Sequence, residues 1–266
     1  MSLYSNANTE RLAVPDDALF TFNAATGTRS ICFWYRPDAL PGSGDFHRSL
    51  WAQAILGNDS FDSMYLLREA GTLGGNVSFA HYQGATPFWV GVNHTPSDDT
   101  WLFVGMIDDA GTFRLYVDDA SIGTDTLDRN SSRNPDSIWI LADAQNPDTA
   151  DGRMAHVMYF DGKALSLAEF RSLRFNPKYC LRFPELVRWY PMFGTSGVDL
   201  SGNASNGTVT GATVAGGPPT APPFGFDLAS FVTVEAVGGR IMSSLVRSGG
   251  LAGPGGIAGP GGGLAA

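Results

Sequence analysis

Lysine is almost missing from this chain: Lys163 and Lys178 are the only two in 266 residues. Arginine brings the cations to 17 against 26 acids, a formal charge of −9 at pH 7. That balance excludes a general affinity for nucleic acid or an anionic membrane, both of which need a basic surface. Apolar runs are short, and a stretch such as Trp101–Ile107 falls far below a membrane span. The opening residues, MSLYSNANTERLAVPDD, have neither the basic nor the apolar segment of an export signal. They predict a chain made and assembled in the cytoplasm. Cysteine is limited to Cys32 and Cys180, far apart in sequence. In a reducing compartment both are expected to be free and buried.

Glycine and proline are abundant, at 33 and 16 residues, and favour turns and strands over helices. Hydrophobic content of 43% with 16% charge excludes a disordered composition. Apolar segments separated by turn residues recur: Arg29–Pro37, Leu50–Gly57, Ser63–Glu69, Asn76–Gln83 and Phe88–His94. Thr100–Asp108, Thr112–Gly123, Ser137–Asp143 and Arg153–Gly162 continue the run, and Leu186–Phe193 adds one more. In Arg29–Pro37, Ile31, Phe33 and Tyr35 fall on one face and Cys32 and Trp34 on the other, so both faces are expected to be covered. Asp109-Ala110-Gly111 reads as a hairpin loop. One helix is predicted, with Ser166 as its cap and Glu169 as the capping-box partner. Leu165, Phe170 and Leu173 would form its apolar stripe, and Pro177 would stop it. Nine to eleven strands with one late helix predict an all-β, antiparallel sandwich of the jelly-roll type.

Three blocks carry a family resemblance. RLAVPDDALFTFNAATGTRSICFWYRPDAL, DDTWLFVGMIDDAGTFRLYVDDASIG and DGRMAHVMYFDGKALSLAEFRSL resemble the opening, central hairpin and ending of the laminin-G-like, concanavalin-A-like jelly rolls. The likeness runs from about Leu12 to Asn176. It implies domain limits of 1–178 for the jelly roll and 179–216 for a Gly/Asn-rich extension. A Pro-rich linker at 217–237 and a glycine-rich tail at 238–266 complete the chain. Within the extension, LVRWYPMFGTSGVDLSGNASNGTVTGATV is similar to a companion motif that usually precedes such a jelly roll. Here it follows, and with the glycine-rich finish it resembles chains of phage and bacterial surface assemblies.

Catalysis finds little material. Glycosidases of this architecture resemble one another in a Glu-x-Asp-x-(x)-Glu strand, whose carboxylates share one face. This chain has five Glu, and the closest two, Glu169 and Glu185, cannot form that motif. Asp108-Asp109 and Asp118-Asp119 point to opposite faces and suit turns. The four histidines, His47, His81, His94 and His156, are isolated, and neither a zinc spacing nor Gly-x-Ser-x-Gly occurs. No enzyme is expected, and no cofactor is required.

Binding has more candidates. Tyr82, Phe88, Trp89 and His94 lie on two successive strands and could stack on a sugar. Asp143, Asn146, Asp148 and Asp151 cluster in one loop and could supply the oxygens that Ca²⁺ needs. The resemblance gives a matching position only to Asp151 and Gly152. In the tail, glycine holds Gly250, Gly253, Gly256, Gly259 and Gly262, the triplet of a collagen-like helix. Leu251, Ile257 and Leu264 punctuate it, and it reads as an assembly strap for a homo-oligomer, with a trimer suggested. The expectation is a non-enzymatic virion protein, a phage capsid decoration or fibre component at the virion surface, contacting other virion subunits. The alternative is a lectin-like carbohydrate-binding module, with or without calcium.

Overall fold

A computed structural model describes residues 2–5, 10–15, 27–40, 47–54, 62–68, 77–83, 88–126, 137–141, 151–192 and 196–218. The chain divides into units Met1–Phe224 and Gly225–Ala266, and the described residues all lie in the first. The tail residues Gly250 to Leu264 and the loop residues Asp143, Asn146 and Asp148 lie outside the described residues.

Among the described residues, fifteen strands build two sheets, and all their pairings are antiparallel. They are β1 (Ser2–Ser5), β2 (Arg11–Pro15), β3 (Arg29–Pro37), β4 (His47–Ala54) and β5 (Asp62–Arg68). Next come β6 (Val77–Gln83), β7 (Phe88–Asn93), β8 (Leu102–Asp109), β9 (Thr112–Val117) and β10 (Ala120–Thr126). The last are β11 (Ser137–Ile140), β12 (Gly152–Asp161), β13 (Leu186–Tyr190), β14 (Thr208–Thr210) and β15 (Thr213–Ala215). One sheet runs β10-β9-β8-β3-β12-β1-β15, with β13 also on β12; the other runs β14-β2-β11-β4-β5-β6-β7. The stretch 112–123, which reads as one segment in sequence, is two strands around a turn at Asp118, whose φ is 54°. Ala110 and Gly111, at φ 50° and 96°, make the β8–β9 hairpin turn, and both need the left-handed region that Gly adopts freely.

Alternation on β3 does what the sequence implies. Ile31, Phe33 and Tyr35 enter the core between the sheets, with Leu12, Leu66, Phe79, Val104, Ile138 and Ile140. Cys32 and Trp34 enter a second cluster on the outer face of the eight-stranded sheet, with Phe103, Met158 and Trp189. That cluster is roofed by the helix α1 (Leu167–Phe175) and a 3-10 turn at Pro177–Arg182. Phe170 from α1 stacks on Phe103 with ring centroids 4.6 Å apart. It fits because Gly105 stands beneath it, where a Cβ would come within 2.6 Å of the ring. The capping box forms on both sides: Glu169 N–H donates to Ser166 Oγ at 3.3 Å, and Ser166 N–H donates to Glu169 Oε2 at 2.8 Å. Cys32 and Cys180 are free and buried in this outer cluster. Burial pushes the Cys32 thiol up and the Cys180 thiol up to about 12, so both are inert.

The segment 186–215 is bound into both sheets: β13 lies on β12, β14 on β2 and β15 on β1. Its Asp-Leu-Ser-Gly-Asn stretch forms a clasp. Asp199, 6% exposed, accepts from the N–H groups of Trp189 and Ser201 with Oδ1, and from the Ser201 hydroxyl and Ser205 N–H with Oδ2. Asn203 donates to the Val187 carbonyl, and the Tyr190 hydroxyl donates to the Ser205 carbonyl at 2.7 Å. Backbone polar groups that would otherwise be buried without partners are satisfied by one short loop.

Candidate binding face

The two outer faces of the sandwich differ. Among the described residues, the helix-side cluster that covers the eight-stranded sheet draws no member from the strands of the seven-stranded sheet. The latter sheet buries Leu12, Val14, Leu66, Phe79, Ile138 and Ile140 in the core, which assigns their side of each strand to the interior. Residues one position away occupy the other face. At its two edges that face is open: Asn93 on β7 and Thr208 and Thr210 on β14 are exposed.

Register divides the four aromatic and imidazole candidates into two pairs. Tyr82 on β6 is the direct partner of Trp89 on β7. Phe79 is the partner of Val92, so Tyr82 and Trp89 hold positions on the face opposite the core. Phe88 shares the parity of Val92 and falls on the core side. His94 follows the same parity: it is partly buried and stacks on Phe79 at 6.2 Å with 22° between the rings. Burial lowers its pKa from the ordinary histidine value, against the opposing influence of Asp118. Tyr82 and Trp89 are therefore brought together, and Phe88 and His94 are not brought to them.

The Tyr82–Trp89 pair is one end of a rung that crosses the whole sheet. Thr208 pairs with Ala13, Ala13 with Trp139 and Trp139 with Ala52. Ala52 then pairs with Ser63, and Ser63 with Tyr82. Trp139 has Ile138 and Ile140 as buried neighbours, and so stands on the same outer face as Tyr82 and Trp89. Sequence reasoning missed Trp139. Its signal was the alternation of Ser137–Ile140, but its place beside Ala52 is set by strands that are not consecutive in the chain.

Of the expected calcium ligands only Asp151 is described. It begins the approach to β12 at φ 39°, and its carbonyl accepts the Asp38 N–H at 3.0 Å. Among the described residues no three His, Cys, Asp or Glu side chains converge in a way that would hold a metal ion. Two of the described acids have other work: Glu169 is tied to Lys163 at 2.7 Å and to Ser166, and Asp118 lies 3.3 Å from Arg174. Among the described residues no helix is long and apolar enough to cross a membrane.

Residues 6–170 match the sequence model of the Concanavalin A-like lectin/glucanases superfamily, laminin-G type. The chain belongs to that superfamily. No curated protein matches it. Among solved structures it is similar to a Bacteroides ovatus protein proposed to bind carbohydrate, with TM-score 0.56 and 16% identity, covering 80% of this chain and 58% of that one. The matched region thus spans a little over half of that relative's length. It is also similar to the CBM40 domain of a Ruminococcus gnavus sialidase bound to α2,3-sialyllactose, with TM-score 0.44 and 12% identity, covering 64% of this chain and 97% of that one. Domains LG4-5 of the mouse laminin α1 chain match with TM-score 0.45 and 11% identity, covering 63% of this chain and 43% of that one.

Proposed function

We propose that this protein is a non-catalytic carbohydrate-binding module of the lectin-like jelly-roll class. The observation that carries the reading is the direct pairing of Tyr82 with Trp89 on the outer face of the sheet that the helix does not roof. Two adjacent aromatic positions on that face supply the residue types that stack on the hydrogen-rich face of a sugar ring, and Ser63 is the register partner of Tyr82. Membership in a superfamily of lectins and glucanases supports this, as does the carbohydrate-binding proposal attached to the Bacteroides ovatus relative. A glucanase role would need two facing carboxylates, and the described outer-face positions of β5, β6 and β7 include none. The virion role rests on motif order and glycine triplets. The motif segment is occupied in closing the sandwich, so binding is the better-supported reading.

The test is a glycan array with the full chain, followed by titration calorimetry. Wild type should bind at least one glycan class, and Trp89→Ala should weaken it by about tenfold or more. Array binding unaffected by Trp89→Ala would move the site elsewhere, and binding to no glycan would reject the reading. Repeating the titration in EDTA asks whether the Asp143–Asp151 loop contributes calcium: a loss restored by Ca²⁺ would say that it does.

A further inference from the structure

We propose that the roof of the eight-stranded sheet, made of α1 and the 3-10 turn at Pro177–Arg182, is a docking surface for a second copy of this chain, whose acidic body it engages head-to-tail. Both lysines of the protein fall in the segment Lys163–Arg182, together with Arg171, Arg174 and Arg182. One acid, Glu169, stands among these five cations, so the segment carries +4; with −9 for the whole chain, the remainder carries −13. Two of the cations are engaged within the molecule: Lys163 with Glu169 at 2.7 Å, and Arg174 with Asp118 at 3.3 Å and Asp119 at 2.5 Å. Arg171, Lys178 and Arg182 are exposed. The Arg182 guanidinium lies 5.2 Å from the centre of the Tyr179 ring, which meets Phe183 edge-on at 5.4 Å.

Apolar surface accompanies the charge. Phe175 and Leu181, 63% and 54% exposed, are the two most exposed large hydrophobics among the described residues. On α1, Phe170 and Leu173 enter the cluster below, and Phe175 lies two residues beyond Leu173, about 200° round the helix. Leu181 follows the buried Cys180 in the 3-10 turn. The fold needs neither side chain, since polar residues suit exposed positions equally well. Aromatic and arginine side chains together are the composition enriched in protein–protein contacts. The occupant has to be anionic with some apolar surface, and a second copy is both. Its body carries the −13, with Asp98, Asp99 and Asp125 exposed, and so are Val198 and Val214. Nucleic acid or an anionic bilayer extends past the roof and is repelled by that same body. The C-terminal unit Gly225–Ala266 holds Asp227, Glu235, Arg240 and Arg247, and so has no net charge to offer. Roof against roof would set Arg171, Lys178 and Arg182 against their like. The contact is therefore heterologous, the roof of one copy on the body of the next.

The experiment is analytical ultracentrifugation of the full chain over a range of protein and salt concentrations. In low salt the weight-average mass should rise above that of the monomer between about 10 µM and about 1 mM protein. Association should weaken about tenfold or more from about 50 mM to about 500 mM NaCl, because the charges involved are exposed. Leu181→Asp and Arg182→Glu should each leave the protein monomeric over that range, and Arg182→Lys should keep most of the association. Thermal unfolding of the variants should match wild type, since the replaced side chains are exposed; Phe175→Ser carries the test should either charged variant unfold. A fluorescently labelled Leu181→Asp chain has lost its roof but kept its body, so it should still sediment with excess wild type. A monomer at every concentration, association indifferent to salt, an oligomer that persists unchanged in the roof variants, or a labelled variant left behind by wild type overturns the inference. Glycan binding is read separately on the array, and none of these outcomes decides it.

Discussion

The carboxylate of Asp199 accepts the backbone N–H of Trp189 at 3.0 Å, reaching ten residues back along the chain to β13 of the eight-stranded sheet. The same carboxylate lies 4.0 Å from the guanidinium of Arg188, and both side chains are fully buried. The loop after β13 is therefore a structural fastener. Its Asp199 and Ser205 are buried, and its side chains bond back to the strand at Trp189 and Val187.

Removing the fastener should show in stability. Asp199→Ala deletes the acceptor of four hydrogen bonds and takes from buried Arg188 its nearby carboxylate. Breaking a buried pair by removing one member costs about 3–5 kcal/mol. Urea unfolding should show a midpoint lowered accordingly, with Asp199→Asn intermediate. A midpoint unchanged from wild type would mean that the loop contributes nothing to the fold.

His156 should give the protein a pH-dependent stability. It sits on β12 at φ 51°, where the register with β3 shifts, and is 4% exposed with its ring stacked on Trp189 at 6.4 Å. Burial holds its imidazole down at about 4, against 6.5 in the unfolded chain. The folded state keeps the ring neutral, so between these values the unfolded state binds the extra proton. The stabilisation is complete above pH 6.5 and is lost as pH falls toward about 4, reaching about 3 kcal/mol at the acid limit. His156→Asn accepts the same positive φ and carries no titrating group. Its urea midpoint should fall less steeply than that of wild type across that window, and parallel curves would exclude His156 as the source.

The helix cap offers a smaller, local effect. Ser166→Ala removes the acceptor of the Glu169 N–H and should cost about 1 kcal/mol. Because Glu169 returns a bond to the Ser166 N–H, adding Glu169→Ala should cost less than the sum of the two single changes. Strict additivity in a thermal double-mutant cycle would show that the two halves of the box act separately.

What could be read in advance was whatever depends on neighbours in sequence. The cap at Ser166, the inward and outward faces of β3 and the Ala110-Gly111 turn all follow from side-chain chemistry and backbone freedom within a few residues. The family blocks are equally legible: the residues from about Leu12 to Asn176 that resemble a jelly roll nearly coincide with the matched span 6–170. The Asp-Leu-Ser-Gly-Asn stretch was visible as a motif, but its use was not, because the groups it satisfies belong to a strand that pairs elsewhere.

By itself the sequence determined the fold class, the helix and its cap, the absence of a carboxylate motif and the aromatic supply of β6 and β7. Alternation and capping are local, so they survive any arrangement of the strands. Only the tertiary structure decided which aromatics stand together. It set Phe88 and His94 on the core side, paired Tyr82 with Trp89, and brought Trp139 into their rung through β4 and β5. Those decisions rest on hydrogen-bond register between strands distant in the chain, where a shift of one residue would turn every side chain to the other face.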